Sequence, residues 1–266
     1  MDLQLTGKRA LITGGSRGIG LAIARVLANE GVRVVIAARD QGRLDEAAAS
    51  LAEETGAEIH GLAVDTGDDA SVKALVDGAV ALLGGLDILV NNAAMPAGQS
   101  APPKLAKVTN EAFYDDVNIK VMGYLRCARE AAPHMVANGW GRIINVSGLN
   151  ARNAGSIIGS IRNVSVAALT KNLADELGGT GVNVTVVHPG LTRTEKTAGV
   201  VAARAAQLGV GEDEVERRMG ANTVIGRMVD AEEVADVVAF LASPRSVAIT
   251  GDAIACGGGM KGPIFY

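Results

Sequence analysis

The chain has 266 residues, 48% of them apolar, and a formal charge of −4, enough to bury a substantial core within one domain. Charged residues make up 20% and are spread along the chain, so no basic or acidic tract points to nucleic acid. The start MDLQLTGKRA lacks the apolar core of a signal peptide, no apolar run reaches bilayer length, and Cys127 and Cys256 stand in no metal or redox spacing; the expectation is a cytoplasmic protein without a membrane partner or a metal site.

Short apolar or β-branched runs alternate with longer helical patterns from start to end. RALIT runs into GIGLAIARVLANEG, VRVVIAA into GRLDEAAASLAEETG, and EIHGLAVD into DDASVKALVDGAVALLG. LDILVNNAA precedes a long helical stretch around residues 109–138, and GRIINVS precedes the helix that carries GSIIGSIRNVSVAALTKNLADEL. VNVTVVHPG then leads into a charged stretch, and AITGDAIACGGG closes the pattern. Near-continuous apolar strands separated by amphipathic helices predict a parallel α/β sheet covered on both faces. Right-handed crossovers make it doubly wound, with its ligand site at the carboxyl ends of the strands. The segment from about Leu191 to Arg227 breaks the rhythm with two helix-like pieces joined by glycines. Its placement after the sixth strand, at the ligand edge, predicts a lid over a substrate cleft.

A glycine-rich turn lies directly between the first strand and the first helix, in ALITGGSRGIGLAIA. Gly14, Gly18 and Gly20 permit a tight turn and let the helix N-terminus approach a pyrophosphate; Ser16, Arg17 and Ile19 complete the candidate cradle. Binding a ribose 2′-hydroxyl calls for an acid at the end of the second strand, but Ala38 and Arg39 stand there, with Arg17 inside the turn. Two guanidinium groups converging on one ribose edge pair with a 2′-phosphate, which favours NADP over NAD. The competing reading leaves Arg39 in solvent and gives the acidic role to Asp40.

Taken together, TGGSRGIG, VDTGD, NNAA, the VN before the core of the long helix, GRIINVS, VHPGLTRT and ITG resemble the short-chain dehydrogenase/reductase family over nearly the whole chain. The resemblance implies a Rossmann-type doubly wound parallel sheet, residues 1–266 forming a single domain with a helical substrate lid over about 191–227. It implies that Asp65, with Thr66, meets the adenine, and that Asn91, with Ala93, supports the central strand and the cofactor ribose. It further implies that Pro189, Gly190, Thr192 and Thr194 embrace the nicotinamide carboxamide, and that the protein assembles as a homotetramer or homodimer through its long central helices.

In that family a tyrosine and a lysine four residues apart share one helix face, the lysine cation lowering a phenol pKa that is ordinarily about 10. The run NVSVAALTK fixes the two positions here, and they hold Gly159 and Asn163; no lysine falls between Lys120 and Lys171. A serine after the fifth strand polarises the carbonyl in the family. That position is Gly148, with Ser147 one step earlier, so a cleft-facing Ser147 requires that the strand has ended. Asn118 matches the family's proton-relay asparagine, and equally a helix-kink asparagine bonded to backbone. Among substitutes, Gly159 opens a pocket in place of the phenol, Asn163 can hold a ribose hydroxyl, and Arg162 can stabilise an oxyanion while remaining a poor proton donor. His188 has a suitable pKa but a strand position that predicts packing. Tyr266, in the terminal GPIFY, could bring a phenol to a neighbouring subunit.

The expectation is therefore an NADP(H)-dependent oxidoreductase with an atypical active site, acting on a small carbonyl, alcohol or activated double bond. The alternatives are a lyase or isomerase on the same scaffold, or a pseudoenzyme that binds NADP as a sensor.

Overall fold

The structure, a computed structural model, describes residues 1–95 and 103–262. The first half alternates strand and helix: β1 (Arg9–Thr13), α1 (Gly18–Asn29), β2 (Arg33–Ala38), α2 (Gln41–Thr55), β3 (Ile59–Ala63), α3 (Asp69–Leu83) and β4 (Ile88–Asn91). Next come α4 (Asn110–Val117), a π-helical turn (Asn118–Met122) and α5 (Gly123–Ala137), which together fill the long helix expected from the sequence. The chain continues through β5 (Gly141–Val146), α6 (Ile157–Leu177), β6 (Val182–Pro189), β7 (Thr192–Arg193), α7 (Thr197–Leu208) and α8 (Glu212–Gly220). It closes with β8 (Val229–Asp230), α9 (Ala231–Ala242) and β9 (Ala253–Cys256).

Seven strands form one parallel sheet in the order β3-β2-β1-β4-β5-β6-β9. Both faces are covered, which is why the strands read as unbroken apolar runs: every residue of β5 and β6 is buried. One face packs on α1 and α9 through Ile23, Leu27, Val234 and Val238; the other packs on α3 and α5 through Val72, Leu75, Cys127 and Ala131. The strand order reverses between β1 and β4, where Ile12 pairs with Val90, and a crevice opens beyond their carboxyl ends.

Side-chain caps mark where several helices begin. Asp40 accepts from Arg43 N, Asp68 from Ser71 N, Thr109 from Ala112 N and Ser156 from Gly159 N, each satisfying an amide that the helix itself leaves open. The first helix has no such cap; its N-terminus opens onto the crevice.

The excursion between β6 and α9 is a small unit with its own core of Val201, Ala205 and Val215. Its base is tied by the two-residue ladder Thr192–Val229 and Arg193–Asp230, and by Arg193 Nη1 bonding Glu216 Oε1 at 2.7 Å. Among the described residues no helix is long and apolar enough to cross a membrane. The terminal segment that holds Tyr266 lies outside the described residues.

Candidate active site

A cleft of about 560 Å³ lies at the switch point, bounded by the β1–α1 turn, the ends of β2 and β4, and Thr194, Glu195 and Lys196. Backbone geometry explains the glycines of the turn. Gly14 and Gly18 have φ of +67° and +57°, a left-handed conformation that side chains disfavour. A Cβ on Gly20 would stand 2.2 Å from the carbonyl oxygen of Gly14, so only glycine lets α1 seat this close to β1. The amide of Gly18 donates to Glu195 Oε2 at 3.1 Å. A carboxylate therefore already occupies the anion position at the uncapped helix, and the cradle fits the pyrophosphate of a dinucleotide on the chemistry of that contact.

Of the expected cofactor contacts, Gly14, Ser16, Arg17, Gly18, Ile19, Arg39, Asp65, Thr66, Ala93 and Thr194 line the cleft. At its edge Arg17 and Arg39 are joined by Arg43, which sequence reasoning missed. Its signal was a third arginine one turn into the helix after Arg39. Asp40 also lines the cleft, and its Oδ1 accepts from the Arg43 amide at 3.1 Å as the cap of α2. Asp65 Oδ1 likewise accepts from Gly67 N at 2.8 Å, and Thr66 donates to Ile119 O at 3.1 Å. Asn92, also missed, braces the turn from β4, with Nδ2 donating to Gly14 O at 3.1 Å.

Other expected contacts are not brought to the cleft. Asn91 is fully buried; its Nδ2 donates to Asn145 Oδ1 at 2.9 Å, and Asn145 Nδ2 donates to Thr170 Oγ1 at 2.9 Å. This polar chain ties β4, β5 and α6 and supports the central strand. Pro189, Gly190 and Thr192 sit beyond the lining, with Gly190 packed so closely that a Cβ would meet Gly257 Cα at 2.8 Å.

The reaction end differs from each simple substitute. Arg162 is not a free cation, because its Nη1 pairs with Asp116 Oδ2 at 2.7 Å between α6 and α4. Asn118 has both ends of its amide engaged, Nδ2 donating to Gly67 O at 3.2 Å and Oδ1 accepting from Arg126 Nη2 at 2.9 Å, as a kink asparagine would. Ser147, the residue after β5, is buried and donates its hydroxyl to Asn163 O at 3.1 Å. A Cβ on Gly159 would meet Ser156 Oγ at 2.9 Å and Asn150 Nδ2 at 3.3 Å, so the capping serine lies nearest to that position. His188 is buried, and burial together with Arg152 and Lys120 pushes its imidazole down to about 4, which keeps the ring neutral. Gly148 and Asn163 do come together, with a Cβ at 148 falling 3.0 Å from Asn163 Nδ2.

One group here was not foreseen. Lys120, on the π turn, is 4% exposed, and its Nζ donates to Ser147 O at 3.0 Å and to Asn163 Oδ1 at 3.3 Å. The only hint in the sequence is a lysine standing between apolar residues in NIKVMGY.

With this geometry in hand, a family model described as enoyl-(acyl carrier protein) reductase matches residues 14–261. The 3-oxoacyl-(acyl-carrier-protein) reductase of Aquifex aeolicus is 31% identical over 98% of this chain and all of its own length. Dehydrogenase/reductase SDR family member 4 of Oryctolagus cuniculus is 34% identical, covering 96% of this chain and 94% of its own. The chain belongs to the short-chain dehydrogenase/reductase family. A solved member, the L-sorbose reductase of Gluconobacter frateurii complexed with NADPH and L-sorbose, superposes with a TM-score of 0.93 at 32% identity, covering 99% of this chain and all of that one. These short-chain dehydrogenase/reductase relatives reduce chemically different groups by name, so kinship fixes the scaffold and leaves the reacting bond to the site itself.

Proposed function

We propose that the protein is an NADP(H)-dependent oxidoreductase acting on a small carbonyl, alcohol or activated double bond, with an active site that departs from the family's tyrosine–lysine pair. The observation that carries this reading is that Arg17, Arg39 and Arg43 all line the cleft, with Asp40 Oδ1 engaged in capping α2. Three guanidinium groups lining one cleft suit a 2′-phosphate. NADPH in the L-sorbose reductase is consistent with the same preference here.

In this reading the amides of the β1–α1 turn hold the pyrophosphate once Glu195 withdraws, Arg17, Arg39 and Arg43 hold the 2′-phosphate, and Asp65 and Thr66 border the adenine. When bound, NADPH would supply a hydride for reduction of the substrate, and NADP+ would accept one for its oxidation. Thr194 orients the carboxamide end, and α7 with α8 shields the reacting atoms from water, swinging on the β7–β8 ladder. Gly148, Gly159 and Asn163 stand where the family carries its serine, tyrosine and lysine, so proton delivery has to come from another group or from water.

Fluorescence titration tests this directly. NADPH is expected to bind at least ~10-fold more tightly than NADH, and Arg39→Ala to lose ~10-fold for NADPH alone, the loss of one exposed charge-assisted bond. Failure of NADPH to bind ends the reading. Conversion of a substrate with NADPH left unoxidised replaces it with a lyase or isomerase on the same scaffold.

A further inference from the structure

An ammonium group is costly to bury, and the usual compensation is an ion pair. Among the described residues no carboxylate pairs with Lys120; Asp116, an acid whose charge it feels, is taken by Arg162. Instead the ammonium is held by two neutral acceptors, Ser147 O and Asn163 Oδ1, and lies 5.9 Å from the centroid of the Tyr124 ring. A methionine would fill the same space at less cost, which makes a lysine here a candidate for use rather than for packing. The local backbone is built to present it: the five-residue π turn interrupts the α4–α5 helix, a feature often found at functional sites.

The location matters as much as the burial. Asn163 occupies the position where kinship expects a lysine, and Gly148, at the serine position, faces the Asn163 amide. Lys120 Nζ bonds both Asn163 and the carbonyl of the residue before Gly148. We propose that Lys120 is the lysine of this active site, delivered by the neighbouring helix instead of by position 163, with Asn163 holding its ammonium in place. Two of its three N–H donors are engaged by Ser147 and Asn163, and the third serves the nicotinamide half of the bound cofactor. This assignment rests on the reading of the cleft as an NADPH site.

The groups facing Lys120 are Tyr124 on α5, the Arg162–Asp116 pair between α6 and α4, and His188 on β6. Burial raises the Tyr124 phenol far above its ordinary range, and His188 is held neutral above about 4. Burial, reinforced by Arg162, lowers Lys120 to about 7. Between pH 6 and 9, Lys120 changes charge while Tyr124 and His188 do not.

The test uses the whole chain with two probes, NADPH and adenosine 2′,5′-bisphosphate, which share the 2′-phosphate but not the nicotinamide half. For the unaltered protein, the NADPH dissociation constant should rise ~10-fold from pH 6 to pH 9 relative to that of the bisphosphate. Lys120→Met should bind NADPH weakly at both pH values and leave the bisphosphate unaffected. The exchange Lys120→Asn with Asn163→Lys should recover the NADPH affinity. Thermal melting checks folding, and Lys120→Met should melt no lower than the parent, because a buried charge has been removed. Independently of any ligand, the side-chain NMR signal lost in Lys120→Met should titrate near pH 7. An NADPH affinity or pH response unchanged in Lys120→Met overturns the assignment while leaving the cofactor reading intact. Absence of NADPH binding to the parent protein overturns both.

Discussion

Replacing Glu195 with alanine removes the carboxylate that holds the Gly18 amide at 3.1 Å. That amide belongs to the uncapped N-terminus of α1, and a dinucleotide pyrophosphate needs the same donor. Binding must therefore displace Glu195 first. A hydrogen bond to a charged group contributes about 1.5–3 kcal/mol when shielded, and a charge at a helix N-terminus adds about 0.3–1 kcal/mol. Glu195 is exposed to solvent, so screening takes the combined value to about 1 kcal/mol. With about 1.4 kcal/mol per tenfold change, Glu195→Ala should bind NADPH roughly 5-fold more tightly. Loss of one negative charge beside the incoming phosphates acts in the same direction.

Isothermal calorimetry with NADPH at low salt measures the gain, and Glu195→Gln, which keeps a neutral acceptor, should fall between the two. Raising the salt to about 0.5 M should shrink the difference between parent and alanine variant, because an exposed contact is screened within a few ångströms. Weaker NADPH binding in Glu195→Ala would refute the reasoning, for it would mean that the carboxylate assists the bound state rather than competing with it.

Gly20→Ala should abolish NADPH binding and destabilise the fold by about 1–3 kcal/mol, since its Cβ would lie 2.2 Å from Gly14 O and 2.6 Å from Asn92 Nδ2. Gly42→Ala on the open first turn of α2, where the nearest atom is 3.7 Å away, should instead add about 0.5–1 kcal/mol; chemical denaturation of both variants checks the contrast. His188, held down to about 4 against an ordinary 6.5, binds its proton more weakly in the folded than in the unfolded state. Its contribution to stability is present above pH 6.5 and is lost as pH falls toward 4, by about 3 kcal/mol. His188→Leu should flatten that limb of the melting-temperature profile, and an unchanged limb would assign the acid sensitivity to other groups.

The sheet was legible because burial on both faces leaves β1, β2, β4, β5 and β6 as apolar runs that no helix period fits. The cradle was legible because Gly14, Gly18 and Gly20 answer to local backbone geometry within one turn. The β7–β8 ladder and helix α9 were not singled out: two-residue strands carry no periodicity, and α9 shows its role only when packed on α1. Asn91 shows where motif matching stops, because the residue fits its pattern while strand register turns the side chain to Asn145 and away from the cleft.

Lys120 exposes a deeper limit. Sequence reasoning asked whether particular positions hold a tyrosine and a lysine, and at 159 and 163 they do not. A reaction asks only that charge stand at a point in space, and any element reaching that point can place it there. Lys120 and Asn163 are 43 residues apart and meet only once α5 and α6 pack over β5 and β6. The asparagine's amide is short and neutral, which leaves room for a lysine from the facing helix and an acceptor to hold it. A lysine at 163 would repel that second cation in a dry interior. On the proposed assignment the two residues act together, and a chain lacking an expected charge should be searched for it among the faces that converge on the site.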